Sequence, residues 1–274
     1  MSKKMNLPEK AYKNLEFLNS SDARTIRILS EFYEPKSRFK KNKIADTIVF
    51  FGSARIKDEK ESKKLLREFK KTADPKKKNY NAELKQHEKM VEMSKYYEDA
   101  VELSKRITEW SLETSVETKR FTICSGGGPG IMEAANKGAK LGGGSSIGLN
   151  ISIPFEQFVN KWVDPELAFE FHYFFMRKFW FVYLAKAFII FPGGFGTLDE
   201  LMEVLTLIQT GKLKKKMKLI IYDSNYWKRI INFDALIEDG VISKSDLKLF
   251  DFCDTVDEAY EKVIKHMQKN YVKW

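Results

Sequence analysis

Cysteine is nearly absent from this chain. Its 274 residues hold two, Cys124 and Cys253, far apart and in no CxxC pair. That excludes a disulfide framework and a cysteine-built zinc site. Histidine is almost as scarce. His87, His172 and His266 are scattered, so no metal-ligand cluster is visible and no metal is expected. His172 lies in an aromatic run, where a packed or partly exposed ring is the expectation. Long apolar runs are missing as well. The longest, from Phe179 to Phe191, is interrupted by Lys186 and is too short to span a bilayer. The opening MSKKMNLPEK lacks the apolar stretch of a signal peptide, and a cytoplasmic location with no membrane partner is expected.

Acidic residues are in deficit, 38 against 48 basic ones, for a net charge of +10. A basic balance raises nucleic acid as a partner. The lysines fall in short runs, Lys36 to Lys43, Lys57 to Lys78 and Lys212 to Lys218, beside helices or turns. No helix-turn-helix, zinc-finger or RNA-binding signature accompanies them. A solvated surface and a small anionic ligand are the expectation, not nucleic acid.

What is present is alternation. Residues 1–43 form an extension with short helices in LEFL and TIRILSEFYEP, the second expected to stop at Pro35. Ile48 to Phe51 is a continuous apolar run, as in a strand buried on both faces. About residues 57–85 is a lysine-rich insertion. From His87 to Leu112, Met90, Met93, Tyr97, Val101, Leu103 and Ile107 recur at helical spacing and face a core. Further strands are expected at Arg120–Cys124, Ser145–Ile151, Ala187–Phe191, Lys216–Tyr222 and Phe250–Cys253, and residues 168–175 are expected as a strand passing into a helix near Arg177. Helices are expected at 131–142, Leu198–Thr210, Tyr226–Asp239 and Thr255–Gln268. Strands joined by helical crossovers demand an α/β fold: a Rossmann-like, doubly wound, mostly parallel sheet of about seven strands with helices on both faces. Residues 44–274 form that domain and 1–43 the extension.

Two glycine loops then stand out. Ser125-Gly126-Gly127-Gly128-Pro129-Gly130 and Pro192-Gly193-Gly194-Phe195-Gly196-Thr197 each follow a strand and open a helix. Both fall on the carboxyl edge of a parallel sheet, where ligands bind. Glycine lets a ligand approach the backbone, and the first helix amides point at an anion. Each loop is a phosphate cradle or simply a tight turn. Neither completes GxGxxG, and neither contains a P-loop GKS or GKT. Glu200 has two readings. Thr197 and Glu200 are spaced as a capping box. Alternatively, the carboxylate faces the loop's mouth, within reach of a sugar on a bound phosphate. Arg177, with Lys178, starts a strongly aromatic helix on the same edge. Its planar fork suits phosphate or carboxylate, or it pairs with a surface acid.

Pro192 to Glu200 fits the pattern PGGxGTxxE without a mismatch, and Arg177-Lys178 lies upstream at the matching spacing. In both features the chain resembles the LOG ("lonely guy") family of cytokinin riboside 5′-monophosphate phosphoribohydrolases. Val49 to Arg55 resembles the family's first strand and Gly-Ser turn. Tyr96 to Ala100 resembles its first core helix, and Ser125 to Ala134 its glycine segment. The resemblance covers about residues 46–268. Two departures are visible: the histidine usual before the arginine is absent, and Trp180 stands where an acid is common. They favour plain AMP over a cytokinin precursor.

The resemblance implies hydrolysis of a nucleoside 5′-monophosphate to free base and ribose 5-phosphate, with Glu200 and Arg177 catalytic. Gly193, Gly194, Gly196 and Thr197 would hold the phosphate, with Gly127, Gly128, Ser53 and Lys178 also at the site. It implies no cofactor, and a homodimer or larger homo-oligomer. The alternative is a non-catalytic nucleotide sensor or carrier of a phosphorylated cofactor, which needs the glycine loops but not the acid and arginine. Lysine decarboxylase, a name also attached to this motif, requires pyridoxal phosphate on a lysine, and no such signature is present.

Overall fold

Five consecutive buried residues, Thr47–Phe51 (β1), form the centre of the molecule. In the computed structural model, which describes residues 8–114, 118–153 and 158–272, β1 is flanked by β2 (Thr122–Ser125) and β5 (Ala185–Ile190). Residues 1–7 of the expected extension lie outside the described residues. β3 (Ser146–Ile151) and β4 (Ala168–Phe171) extend one side, and β6 (Lys218–Tyr222) and β7 (Asp251–Cys253) the other. The order is β4-β3-β2-β1-β5-β6-β7, and every pairing is parallel. The sheet is therefore the seven-stranded α/β sheet that the alternation demanded, and it is wholly parallel.

Side-chain alternation along β1 divides the core in two. Ile48 and Phe50 join helices α5 (Lys95–Thr114), α6 (Ile131–Leu141) and α11 (Val256–Tyr271) on one face. Val49 and Phe51 join α2 (Arg24–Lys41), α7 (Phe174–Leu184) and α8 (Phe195–Gln209) on the other. With both faces covered, strands can be apolar throughout. A short helix α1 (Leu15–Asn19) precedes α2. The lysine-rich segment is a helical hairpin, α3 (Glu59–Thr72) and α4 (Tyr80–Met93), closed by Phe69 against Tyr80 and His87. Among the described residues no helix is long and apolar enough to cross a membrane.

Three local expectations need correction. Pro35 does not end α2; it lies buried inside the helix. Proline removes the N–H that would bond to the carbonyl of Glu31, four residues earlier. That carbonyl instead accepts the indole N–H of Trp180, at 2.8 Å. The helix expected over His87–Leu112 is divided at Ser94 into α4 and α5; the Ser94 hydroxyl donates to Val91 O at 2.6 Å. Tyr226–Asp239 is likewise two short helices, α9 (Ser224–Ile230) and α10 (Phe233–Glu238).

Candidate functional site

The chain leaves β1 toward β2 and returns to the opposite side of β1 as β5. A crevice opens at such a switch point, beyond the carboxyl ends of the two strands. Here it is a cleft of about 790 Å³ between the Gly52–Arg55 turn and the Pro192–Thr197 loop. One residue ties the walls together. Ser53 N–H donates to Pro192 O at 3.0 Å, and Ser53 O accepts from Ile131 N–H, the first residue of α6, at 3.1 Å. Gly130 makes that junction possible: its φ is +72°, and a Cβ there would lie 2.3 Å from Ser53 O.

Helix α8 begins at Phe195, with Gly194 as its N-cap, and no side chain caps it. The capping-box reading of Thr197 and Glu200 is therefore overturned. Thr197 is the third helical residue and Glu200 belongs to the second turn, too far along to reach the cap. The N–H groups of residues 194–197 are the ones a helix leaves without internal partners, and all four residues line the cleft. The glycines differ in role. A Cβ on Gly193 would meet Thr197 Oγ1 at 2.1 Å, so packing requires that glycine. Cβ atoms on Gly194 and Gly196 would meet nothing within 4 Å; these two leave open space above the helix start.

Glu200 lines the cleft with only 7% of its surface exposed. Burial pushes its carboxyl up to about 7, against the pull of Arg177 and Lys178. Arg177 lines the same cleft. Its Nε donates to Leu149 O at 2.7 Å, and its guanidinium lies 5.0 Å from the Phe181 ring centre. Burial works against its charge, and Glu200 supports it. The two act on each other through charge, with no hydrogen bond between them. Gly126 makes room for the arginine: a Cβ there would lie 2.5 Å from Arg177 Nη2 and 2.5 Å from Met132 Sδ.

The sequence-derived candidates thus divide. Glu200, Arg177, Gly193, Gly194, Gly196, Thr197 and Ser53 share one cleft. Gly127 and Gly128 do not line it. Their carbonyls accept the Asn160 side-chain amide at 2.9 and 3.0 Å, and Gly127 packs on Gly148. Lys178 is turned aside, paired with Asp199 at 2.8 Å and Glu203 at 3.1 Å. Sequence reasoning missed Arg55, Met93, Phe195 and Tyr226, all of which line the cleft. Phe195 is 93% exposed. Tyr226 donates to Gly193 O at 3.0 Å, and Asp223, at φ +72°, accepts from Tyr226 N–H and from the Tyr96 hydroxyl. Tyr226 follows β6 on the ligand-binding edge, and that position was the available signal. Among the described residues no group of three or more His, Cys, Asp or Glu is placed to hold a metal ion.

Fold and cleft define an open parallel α/β protein with an acid and an arginine at its switch point. Residues 132–263 match the family described as "possible lysine decarboxylase". The probable cytokinin riboside 5′-monophosphate phosphoribohydrolase LOG4 of Oryza sativa subsp. japonica is 28% identical over 166 residues, 60% of this chain and 67% of that protein. Cytokinin riboside 5′-monophosphate phosphoribohydrolase LOG3 of Arabidopsis thaliana is 27% identical over 172 residues, 62% and 75% of the two chains. A shorter match to the probable rice enzyme LOGL3 is 35% identical over 83 residues, 39% of that protein. Among solved structures, the molybdenum cofactor carrier protein of Chlamydomonas reinhardtii is 20% identical, with 64% of this chain and 89% of that one covered and a TM-score of 0.42. At that score the likeness bears on nothing beyond itself. The sequence matches show that the chain is similar to the LOG phosphoribohydrolases over about 60% of its length.

Proposed function

We propose that the protein is a nucleoside 5′-monophosphate phosphoribohydrolase that cleaves the N-glycosidic bond of AMP or a related nucleotide. The single observation that carries this reading is Glu200: a buried carboxylate, with no hydrogen-bonded partner among the described residues, one turn inside a helix whose free amides open on the same cleft. The relatives named for this activity on cytokinin riboside monophosphates support the reaction class.

In this reading the phosphate lies against the amides of residues 194–197 and the Thr197 hydroxyl. That fixes the sugar above Glu200, the positional part of catalysis. The bond from C1′ to the base nitrogen breaks, and its electron pair leaves with the base. Positive charge develops at C1′, where the Glu200 carboxylate stabilises it. Water adds to C1′; Glu200 takes one of its protons, and the base nitrogen ends protonated. Ribose 5-phosphate and free base result. Arg177 orients the nucleotide or supports the departing base. The apolar Phe174 and Met93 at the cleft offer the base a surface to lie on.

The catalytic unit is proposed to span residues 44–274, in the cytoplasm, as fits two free, buried cysteines. A homodimer or larger assembly is proposed from the half-exposed Phe174, Phe175 and Tyr183 of α7. Apolar surface of that kind is a partner's footprint, and a monomer mass by light scattering at micromolar concentration would remove the idea.

The test of function is direct. Purified protein is incubated with AMP and, in parallel, with adenosine, ADP and ATP, and adenine is followed by chromatography. Adenine from AMP alone, lost in Glu200→Gln, is the expected result. If AMP raises the melting temperature and no nucleotide releases base, the protein is a nucleotide sensor or carrier instead.

A further inference from the structure

Arg177 sits in the first turn and a half of α7, and nothing in α7 itself caps that helix. The capping groups come from α2, about 140 residues earlier in the chain. One carboxylate oxygen of Glu31 accepts the backbone N–H of His172 at 2.8 Å, and the other accepts that of Tyr173, the N-cap of α7, at 3.2 Å. Tyr173 O in turn accepts the backbone N–H of Arg177 at 3.2 Å. One turn further on, Trp180 Nε1 donates to the Glu31 carbonyl. A single residue therefore holds α7 at two points that bracket Arg177. An acid at a helix N-terminus is also favoured by the helix dipole. A further constraint on the arginine is its Nε–H bond to Leu149 O, which holds only if α7 keeps its place against β3.

We propose that Glu31 is a positioning residue of the cleft, its carboxylate fixing the start of α7 and so aiming the Arg177 guanidinium. Helix α2 is then a working part of the site rather than an appendage to it. The consequence for ligand binding rests on the nucleotide reading above; the placement of Arg177 does not.

Two measurements test the two halves separately. The first is the solvent exchange of the Arg177 Nε–H proton by NMR, assigned by its loss in Arg177→Lys. Glu31→Ala is expected to speed exchange about tenfold, the worth of one hydrogen bond to a charged group. Glu34→Ala, which removes an exposed carboxylate from the same helix, is expected to leave it unchanged. Glu31→Gln retains an oxygen for one of the two amides and falls between; it serves if Glu31→Ala does not fold. An unchanged rate in the folded Glu31 variants overturns the proposal.

The second is a double-mutant cycle on AMP affinity by calorimetry, in Glu200→Gln protein so that nothing turns over. Glu31→Ala is expected to weaken AMP about tenfold when Arg177 is present and hardly at all when it is already alanine, because the two changes share one pathway. A loss that persists in full without Arg177 overturns it. Failure of AMP to bind at all would sink the nucleotide reading, and the exchange rate alone would then decide the placement of Arg177.

Discussion

Trp180 Nε1 donates to the carbonyl of Glu31 at 2.8 Å, and that carbonyl is open to it because Pro35, one turn along α2, has no N–H to offer. A proline that ought to break a helix is thereby accommodated by a tryptophan from another. Two features that look unrelated in the sequence are two sides of one contact.

Trp180→Phe should therefore destabilise the protein beyond the loss of ring volume. The Glu31 carbonyl would lose its indole donor, at a cost of about 1–3 kcal/mol. Pro35→Ala supplies a new N–H within the helix. In that background Trp180→Phe should cost at least about 0.5 kcal/mol less, a coupling readable from urea midpoints of the four proteins in the cycle. Additive effects would mean that the carbonyl is satisfied in some other way.

Arg177 and Lys178 are neighbours in sequence, and the structure separates them. Arg177 opens on the cleft, whereas Lys178 is committed to Asp199 and Glu203. Arg177→Ala is expected to lower kcat/KM for AMP about 100-fold, the scale of losing one preorganised charge-stabilising donor. Lys178→Ala removes two partly exposed ion pairs, to Asp199 and Glu203, each worth at most about 1 kcal/mol, and should stay within about fivefold of wild type. Steady-state kinetics on the two variants checks both, and equal losses would place Lys178 at the ligand after all.

The alternating pattern made the sheet legible, because a parallel strand covered on both faces can be apolar throughout, as Ile48 to Phe51 is. The rule that ligands sit beyond strand ends brought Arg177, Glu200 and the Pro192–Thr197 loop to one place, and they share one cleft. The start of α8 was not legible. A helix can open on Gly194 or on Thr197, and only the backbone decides; opening on Gly194 removes the capping box. Pro35 misled because a proline's cost depends on what takes the freed carbonyl, and here that is Trp180, distant in sequence. Arg55 carried no local pattern, and Tyr226 only its place after β6 on the ligand-binding edge; the meeting of three loops makes them cleft residues.

Glycine substitutions separate packing from ligand space. A Cβ at position 126 would press on the ends of two flexible side chains, Arg177 and Met132. Gly126→Ala should therefore fold with a stability change of about 1 kcal/mol or less, yet bind AMP about tenfold more weakly as the guanidinium is displaced. Gly130→Ala meets backbone and a positive φ, and should lose about 1–3 kcal/mol. Gly196→Ala meets nothing within 4 Å and should leave stability within about 0.5 kcal/mol. Any loss of AMP affinity in that variant would report a ligand close to the helix start. Thermal unfolding and calorimetry on the three proteins distinguish these outcomes.

Glu200 should make function and stability respond oppositely to pH. Its folded carboxyl is raised from 4.5 to about 7 by burial, so between those values the native state holds a proton that the unfolded state has released. Stability then falls as pH rises from about 4.5 to 7 and stays reduced above it. The full cost, on the order of 3 kcal/mol for a shift of this size, is present only above pH 7. Glu200→Gln carries no such charge. It should be more stable than wild type at pH 8, and the advantage should shrink to nothing near pH 4. Base release needs the carboxylate, so wild-type kcat/KM for AMP should climb through pH 7 over the range where stability declines. Denaturant unfolding of both proteins at pH 4, 6 and 8, beside a pH–rate profile of the wild type, reads the two trends together. If Glu200→Gln shows no stability gain at pH 8, Glu200 is not a buried, unpaired carboxylate in solution, and the observation on which the enzymatic reading rests is lost.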